Sequence, residues 1–319
     1  MNEDKLLIKI AEMYYQEDKN QSQIAKELNI HRSTISRLLK KSREEGIVQV
    51  TINYDKDEAY ELEKKLQEKF GLERASVVQV SSEVAEEQRL SMVAVTADEY
   101  LTSILEDQQM IGFSWGGTLS AFATNMSPKN YKDILCIPLI GGPAGRLISD
   151  YHVNTITYEA AKKLNGRALL IDAPAFPESK EVKEALMNNP FNQELIEHWK
   201  KVDIAIFGIG SPHLSGRRAW TDFYGDDMLN QLTQQEVVGD VISKFYNSQG
   251  EHVLSDLDER IIGASLEDLL QIKIRIGIAE SKDKALAILG ALRGRYVNVL
   301  VTTAETAREI LMLDEKQTI

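Results

Sequence analysis

The sequence predicts an α/β protein in two parts: a small N-terminal three-helix head ending in a strand-like wing, and a larger Rossmann-like domain on a parallel sheet. Three observations predict it. The 319 residues exceed the roughly 100–200 that one domain holds. The first 54 residues show helical periodicity and then one alternating run. From residue 75 onward, continuous apolar runs alternate with helical stretches, as in a parallel sheet covered on both faces. The expected boundaries are a head over 1–54, a linker helix over 55–71 and a larger domain over 72–319.

In the head, Leu6, Leu7, Ile10, Ala11, Met13 and Tyr14 recur at helical spacing and predict a first helix over about 3–16. The polar stretch QEDKNQS ends it. Asn20 and Gln23 form a capping-box pattern that opens a second helix, running to about Asn29 with Ile24, Ala25 and Leu28 inward. After the short NIH connection, a third helix runs from Arg32 to about Glu45 and stops at Gly46. On a wheel of roughly 100° per residue, Ile35, Leu38 and Leu39 share one face of it. Arg32, Ser33, Ser36, Arg37, Lys40, Lys41 and Arg43 fall on the other. The run IVQVTINY then alternates in strand fashion and forms the wing.

The net charge of −12 is unevenly spread. Residues 1–54 hold nine Lys/Arg against eight Asp/Glu, whereas the remainder holds 28 against 41. Residues 31–43 carry five basic side chains and no acid. Such a local face outweighs whole-chain charge, because salt screens beyond about 8–10 Å. Arg and Ser/Thr suit base edges and phosphates, and Lys suits phosphates. The layout is that of a winged helix-turn-helix. The candidate contacts to double-stranded operator DNA are Gln21, Ser22, Arg32, Ser33, Thr34, Ser36, Arg37, Lys40 and Lys41. The competing reading is a solvated basic face on a small bundle. The stretch LLIKIAEMYYQEDKNQSQIAKELNIHRSTISRLLKKSREEGIVQVTI resembles the helix-turn-helix of the SorC family of sugar-binding transcriptional regulators.

Residues 57–70 place Leu62, Leu66 and Phe70 four apart in a charged helix. That stripe either pairs with a second copy or packs on its own domain. A homodimer or homotetramer is expected on other grounds, because paired heads read paired half-sites.

In the larger domain, strands are expected at 75–80, 109–114, 133–140, 167–172, 203–209, 272–278 and 297–302. Helices fit near 85–105, 117–125, 152–164, 179–188, 191–200, 282–293 and 304–313. Ligands of such sheets sit beyond the carboxyl ends of the strands. Several of those ends carry glycine turns. In IGFSWGGTLSAF, Ser114 to Thr118 join a strand to a helix, with Gly116 and Gly117 allowing N–H groups to approach an anion. It is neither a Walker loop nor GxGxxG. Gly141 and Gly142 follow another strand, with Asn154 and Thr155 opening the next helix. Gly208 and Gly210 follow a third, ahead of Arg217 and Arg218. Asp240 lies in an apolar setting and Lys284 opens a late helix. Each has a plain alternative as a chain turn, a local cap or a solvated lysine. Together they offer the N–H donors, cations and carboxylate that a phosphosugar needs.

The order IGFSWGGTL, PLIGG, NTITYEAAKKL, LLIDAPAF, DIAIFGIG, VVGD and KALAILGALRG…VNVLVTTAETAREIL is similar to the SorC-type sugar-binding domain, which resembles sugar-phosphate isomerases such as glucosamine-6-phosphate isomerase. The resemblance implies a transcriptional regulator, repressor or activator of a carbohydrate operon, whose operator binding a sugar or phosphosugar modulates. It implies effector contacts at Gly116, Gly117, Thr118, His152, Asn154, an arginine of the 217–218 pair, Asp240 and Lys284; Gly141 and Gly142 belong to the same candidate set. Where the family commonly has Ala-Gly-Gly before the late lysine, this chain has Ala279-Glu280-Ser281, and Thr302-Thr303 replaces a Thr-Asp pair. Glu280 is expected to repel a highly anionic ligand.

Composition closes other routes. A hydrophobic share of 43% with 27% charged residues excludes wholesale disorder. The start MNEDKLLIKI lacks a leader pattern and no apolar run nears the roughly 20 residues of a membrane span, so a cytoplasmic chain with no membrane partner is expected. Cys136, the sole cysteine, excludes an intramolecular disulfide and reads as a buried small hydrophobe. The five histidines show no metal spacing, so no cofactor or metal is expected. No catalytic residue is assigned: Ser114 lacks a nucleophile elbow and His213 is a lone loop histidine. The alternatives to a non-enzymatic regulator are a sugar-phosphate isomerase-like enzyme with an accessory DNA-binding segment, and a structural module whose turns bind nothing.

Overall fold

A computed structural model describes residues 3–48, 55–81, 83–143, 149–212, 226–255 and 257–317. The chain divides into two units, Met1–Tyr54 and Asp55–Ile319.

The first unit holds α1 (Glu3–Tyr15), α2 (Gln21–Leu28) and α3 (Arg32–Glu44). Leu7, Ile10, Met13, Ile24, Ile35, Leu38 and Leu39 form its own core. The Asn20 carboxamide accepts from Ser22 N–H at 3.1 Å and Gln23 N–H at 3.0 Å, and Gln23 Oε1 accepts from Asn20 N–H at 2.9 Å, completing the capping box. Asn29 ends α2 in the left-handed region at φ 52°, so the turn into α3 is tight. Ile47 and Val48 carry no strand; the rest of the expected wing, 49–54, lies outside the described residues.

The second unit opens with α4 (Asp55–Phe70). Then come β1 (Arg74–Val78), α5 (Glu86–Ile104), β2 (Met110–Phe113), α6 (Gly117–Asn125), β3 (Leu135–Pro138), α7 (Val153–Lys163) and β4 (Arg167–Ala168). After α8 (Lys180–Met187), α9 (Pro190–Trp199) and β5 (Ile204–Gly208) lie α10 (Asp226–Gln234), β6 (Gly239–Val241) and β7 (Lys244–Tyr246). The chain ends with α11 (Leu266–Gln271), β8 (Ile274–Ile278), α12 (Ala285–Arg293), β9 (Val299–Thr303) and α13 (Ala304–Gln317). Among the described residues, seven strands form one parallel sheet in the order β1-β9-β8-β5-β2-β3-β4. Burial on both faces explains the largely apolar runs of the inner strands β9, β5 and β2. Helices α5, α6 and α7 bury Val93, Leu101, Phe122 and Ile156 on one face. On the other, α4, α9, α12 and α13 bury Leu66, Trp199, Ile288 and Ile310. The sequence leaves β2 in one direction for β3 and β4, then returns to the other side of β2 for β5. That reversal makes the carboxyl ends of β2 and β5 the switch point where such sheets bind ligands.

Two differences from expectation have local causes. The strand expected over 167–172 keeps ladder pairing only at Arg167 and Ala168, because the Asn154 side chain holds Ile171 through both N–H and C=O at 3.0 Å each. The charged helix α4 turns its apolar stripe inward: Leu62 and Leu66 are buried in the core of the second unit. Glu63 Oε1 accepts from Val77 N–H at 2.8 Å, pinning α4 on the edge strand β1. Of its two expected uses, the stripe serves its own domain.

Candidate functional site

A cavity of about 170 Å³ lies at the carboxyl ends of β2 and β5. One wall is the turn from β2 into α6. Gly116 sits at φ 117°, a conformation side chains rarely adopt, and its N–H donates to Tyr151 O at 3.1 Å. The N–H groups of Gly117 and Thr118, in the first turn of α6, have no intrahelical acceptor and carry the positive end of the helix dipole. Trp115, Tyr151, Ile209 and Ile242 add apolar wall.

Asp240 and Lys284 complete the lining. Asp240 lies on β6, held beside β5 by reciprocal backbone bonds with Gly210 at 3.0 and 3.2 Å. Its Oδ2 accepts from Ser243 N–H at 2.9 Å. Burial pushes the carboxyl up to about 7, against the lowering effects of the Ser243 N–H and the Lys284 charge. Lys284 is half-buried in the turn before α12. Burial lowers its pKa, while Glu280, Asp240 and Glu86 work the other way. Among the described residues its ammonium makes no hydrogen bond and no ion pair within 4.0 Å.

The hairpin that presents Asp240 was not among the expected strands. β6 and β7 pair antiparallel across Ile242 and Ser243, at φ 45° and 58°. Both conformations are mirror-turn positions that normally take Asn or Gly. A β-branched residue there is an outlier, costing on the order of 1–3 kcal/mol. Both residues line the cavity, so strain and site coincide.

Asp240 yields a pH prediction. An unfolded aspartate titrates near pH ~3.9. Between that and the folded value of about 7 the native state holds the extra proton, so stability falls as pH rises through this window. Asp240→Asn removes that loss. Thermal melts are expected to show the variant gaining on the wild type from pH 4 to pH 8, by on the order of 2–4 kcal/mol. Parallel melting curves would contradict the burial argument.

Of the expected effector residues, Gly116, Gly117, Thr118, Asp240 and Lys284 converge on this cavity. Gly141, Gly142, His152 and Asn154 are not among its described lining. His152 caps α7, its Nδ1 accepting from Asn154 N–H at 3.1 Å. Gly142 lies against the same ring: a Cβ there would meet His152 Nε2 at 2.5 Å. Gly141 passes so close to Pro174 and Ala175 that a Cβ would lie 2.6 Å from their backbone. These four residues pack the neighbouring loops. Arg217, Arg218 and His213 lie outside the described residues. Tyr151, Ile209, Ile242 and Ser243 were missed, since nothing in their local sequence distinguishes them from ordinary core or turn residues.

Glu280 departs from expectation. It is buried, and its Oε2 accepts from Arg89 Nε at 3.2 Å. Its charge is paired inside the fold with Arg89 and also acts on Lys284. Ser281, the second departure from glycine, holds φ 108°. Among the described residues, no group of three or more His, Cys, Asp or Glu side chains is placed to hold a metal ion. No described helix is long and apolar enough to cross a membrane.

In the first unit, α3 buries Ile35, Leu38 and Leu39 and exposes Arg32, Ser33, Ser36, Arg37, Lys40 and Arg43. Thr34 and Lys41 are half-buried, and Lys41 Nζ lies 3.5 Å from Glu45 Oε1. At the start of α2, Ser22 is exposed and Gln21 half-buried.

The Sugar-bind family model of sugar-binding domains matches residues 55–312, and a helix-turn-helix model matches residues 8–42. The sorbitol operon regulator of Klebsiella pneumoniae is 41% identical over 308 residues, 96% of this chain and 98% of the relative. The chain belongs to the SorC family of sugar-binding transcriptional regulators. The crystal structure of the full-length sorbitol operon regulator SorC from Klebsiella pneumoniae superposes on this family member with a TM-score of 0.79 at 40% identity, covering 98% of this chain and 99% of that one. The deoxyribonucleoside regulator of Bacillus subtilis is 30% identical over 312 residues, 96% of this chain and 97% of the relative. This SorC-family chain is a sugar-modulated DNA-binding transcriptional regulator and not an isomerase.

Proposed function

We propose that the cavity at the switch point is the effector site and that it takes the phosphate monoester of a small polyol. One observation carries the reading: a helix-opening turn, a buried carboxyl and a half-buried ammonium, from three separate segments, line a single cavity. The N–H groups of Gly117 and Thr118 and the Lys284 ammonium suit a phosphate. Asp240 suits a hydroxyl, donating or accepting according to its proton. Trp115 and Tyr151 suit the C–H side of a carbon chain. The Klebsiella relative's name points to sorbitol, so sorbitol 6-phosphate is the first probe.

On the same reading, the exposed face of α3 enters the major groove. Arg32, Ser33, Ser36 and Arg37, with Gln21, Ser22 and Thr34 nearby, reach base edges and phosphates, and Lys40 and Lys41 grip the backbone. The regulator works in the cytoplasm as a homodimer or homotetramer, with paired heads on half-sites about one helical turn apart or a multiple of it. The sugar biases one assembly over another and so resets operator affinity.

A thermal-shift series with sorbitol, sorbitol 6-phosphate and inorganic phosphate tests the site. The phosphorylated polyol is expected to stabilise the protein most, by about 2.7 kcal/mol at a hundred times its Kd, and to change the affinity for a duplex selected by the protein. Equal shifts from phosphate alone would reduce the site to an anion hole. No shift from any of the three would remove the reading.

A further inference from the structure

The carboxyl of Asp240 and the ammonium of Lys284 are mounted on one block. Beyond the Asp240 turn, β7 ends in Tyr246, fully buried, whose hydroxyl donates to Ala287 O at 3.0 Å, three residues past Lys284. A Cβ on Gly290 would lie 2.9 Å from the Tyr246 ring, so the hairpin and α12 close on each other without a gap. Helix α12 is buried from Ala285 to Leu292, sparing Leu286. At its far end, Arg293 Nε donates to Asp314 Oδ1 at 3.2 Å, and the other oxygen of that carboxylate lies 2.9 Å from Lys69 Nζ. Asp314 is 8% exposed. Lys69 stands in the last turn of α4, and α4 begins directly after Tyr54, where the first unit ends.

We propose that the Arg293–Asp314–Lys69 triad is the mechanical link that carries effector occupancy from the cavity to the helix bearing the DNA-reading head. The inference rests on the cavity being the effector site. A ligand that engages Lys284 and Asp240 loads a close-packed block, in which Tyr246 sits against Gly290 and Ala287, so displacement is passed on to the Arg293 end of α12. There a buried carboxylate is shared by cations from two helices. If α12 shifts, either α4 follows or a buried charge loses its partner, and the second outcome is strongly disfavoured. Among the described residues, a second ion pair ties α4 to α13: Arg308 Nε to Glu58 Oε1 at 2.8 Å, half exposed on both sides and with no connection to α12. It is screened by solvent and bypasses the block.

The experiment uses full-length protein and reads two quantities: the thermal shift given by sorbitol 6-phosphate, and the factor by which that probe changes the Kd for a selected duplex. Lys69→Gln cuts the last link and leaves the Arg293–Asp314 pair in place, and Asp314→Asn weakens both links. In each, the factor is expected to fall towards one from the roughly 5–150-fold range of allosteric couplings. Thermal shift and sugar-free Kd should stay at wild-type values. Arg308→Gln should keep the full factor. A wild-type factor in Lys69→Gln, or an equal loss in Arg308→Gln, overturns the link while leaving the site intact. Absence of any thermal shift in the wild type overturns the site, and the link with it.

Discussion

Lys284→Met is expected to lose nearly all of the stabilisation that sorbitol 6-phosphate confers, while melting at a higher temperature than the wild type without the sugar. Both effects have one cause. The ammonium is half-buried, burial lowers its pKa, and the described residues offer it no hydrogen bond. Replacing it with an apolar side chain of similar length removes that desolvation cost. The same replacement removes a charge-assisted contact to phosphate, worth about 1.5–3 kcal/mol, or roughly 10–100-fold in Kd. At a sugar concentration giving the wild type about 2.7 kcal/mol, a hundredfold weaker variant gains only about 0.4 kcal/mol. Since α3 is untouched, operator binding without sugar should persist. A full thermal shift in Lys284→Met would place the anion elsewhere.

The second large effect belongs to the reading head. Each phosphate contact contributes about −0.9 to the slope of log K against log salt. Lys40→Ala with Lys41→Ala should therefore flatten that slope by nearly two and weaken binding roughly 10–100-fold at physiological salt. Lys40 should account for the larger part, because it is exposed whereas Lys41 is half-buried beside Glu45. The loss should be uniform across duplex sequences. Arg32→Ala or Ser33→Ala should instead relax sequence preference with little change in slope. An unchanged slope in the double variant would take α3 out of the DNA interface.

Much of this was legible in the sequence because the relevant signals are local. The inner strands of the sheet announce themselves as largely apolar runs, and the capping box at Asn20 and Gln23 opens α2. Of the residues that strand-end chemistry singled out, Gly116, Gly117, Thr118, Asp240 and Lys284 line one cavity. What escaped notice depends on partners distant in sequence. The β6–β7 hairpin turns through Ile242 and Ser243, residues that carry no turn signal, so only the surrounding fold forces their conformation. Helix α11 is opened by a Ser265–Asp268 capping box, but it spans only six residues and runs directly into the apolar strand β8, so helical periodicity has little room to show. The Asn154 carboxamide is bound at both ends by Ile171, and His152 Nδ1 caps α7, contacts set by the fold and not by local sequence. The neutralising role of Arg89 towards Glu280, 191 positions away, has no local trace at all.

The dovetail of Tyr246 into Gly290 and Ala287 bears on how this scaffold can be retuned for a different sugar. Side chains on the hairpin and α12 are interlocked at close range, so exchanging any of them drags its partners along. Trp115 and Thr118, on the β2–α6 turn, and Tyr151, on the segment ahead of α7, face the same space from outside that interlock. Selection or engineering for a longer, shorter or cyclic nutrient would therefore proceed most freely through those three positions, with the charged pair inherited unchanged.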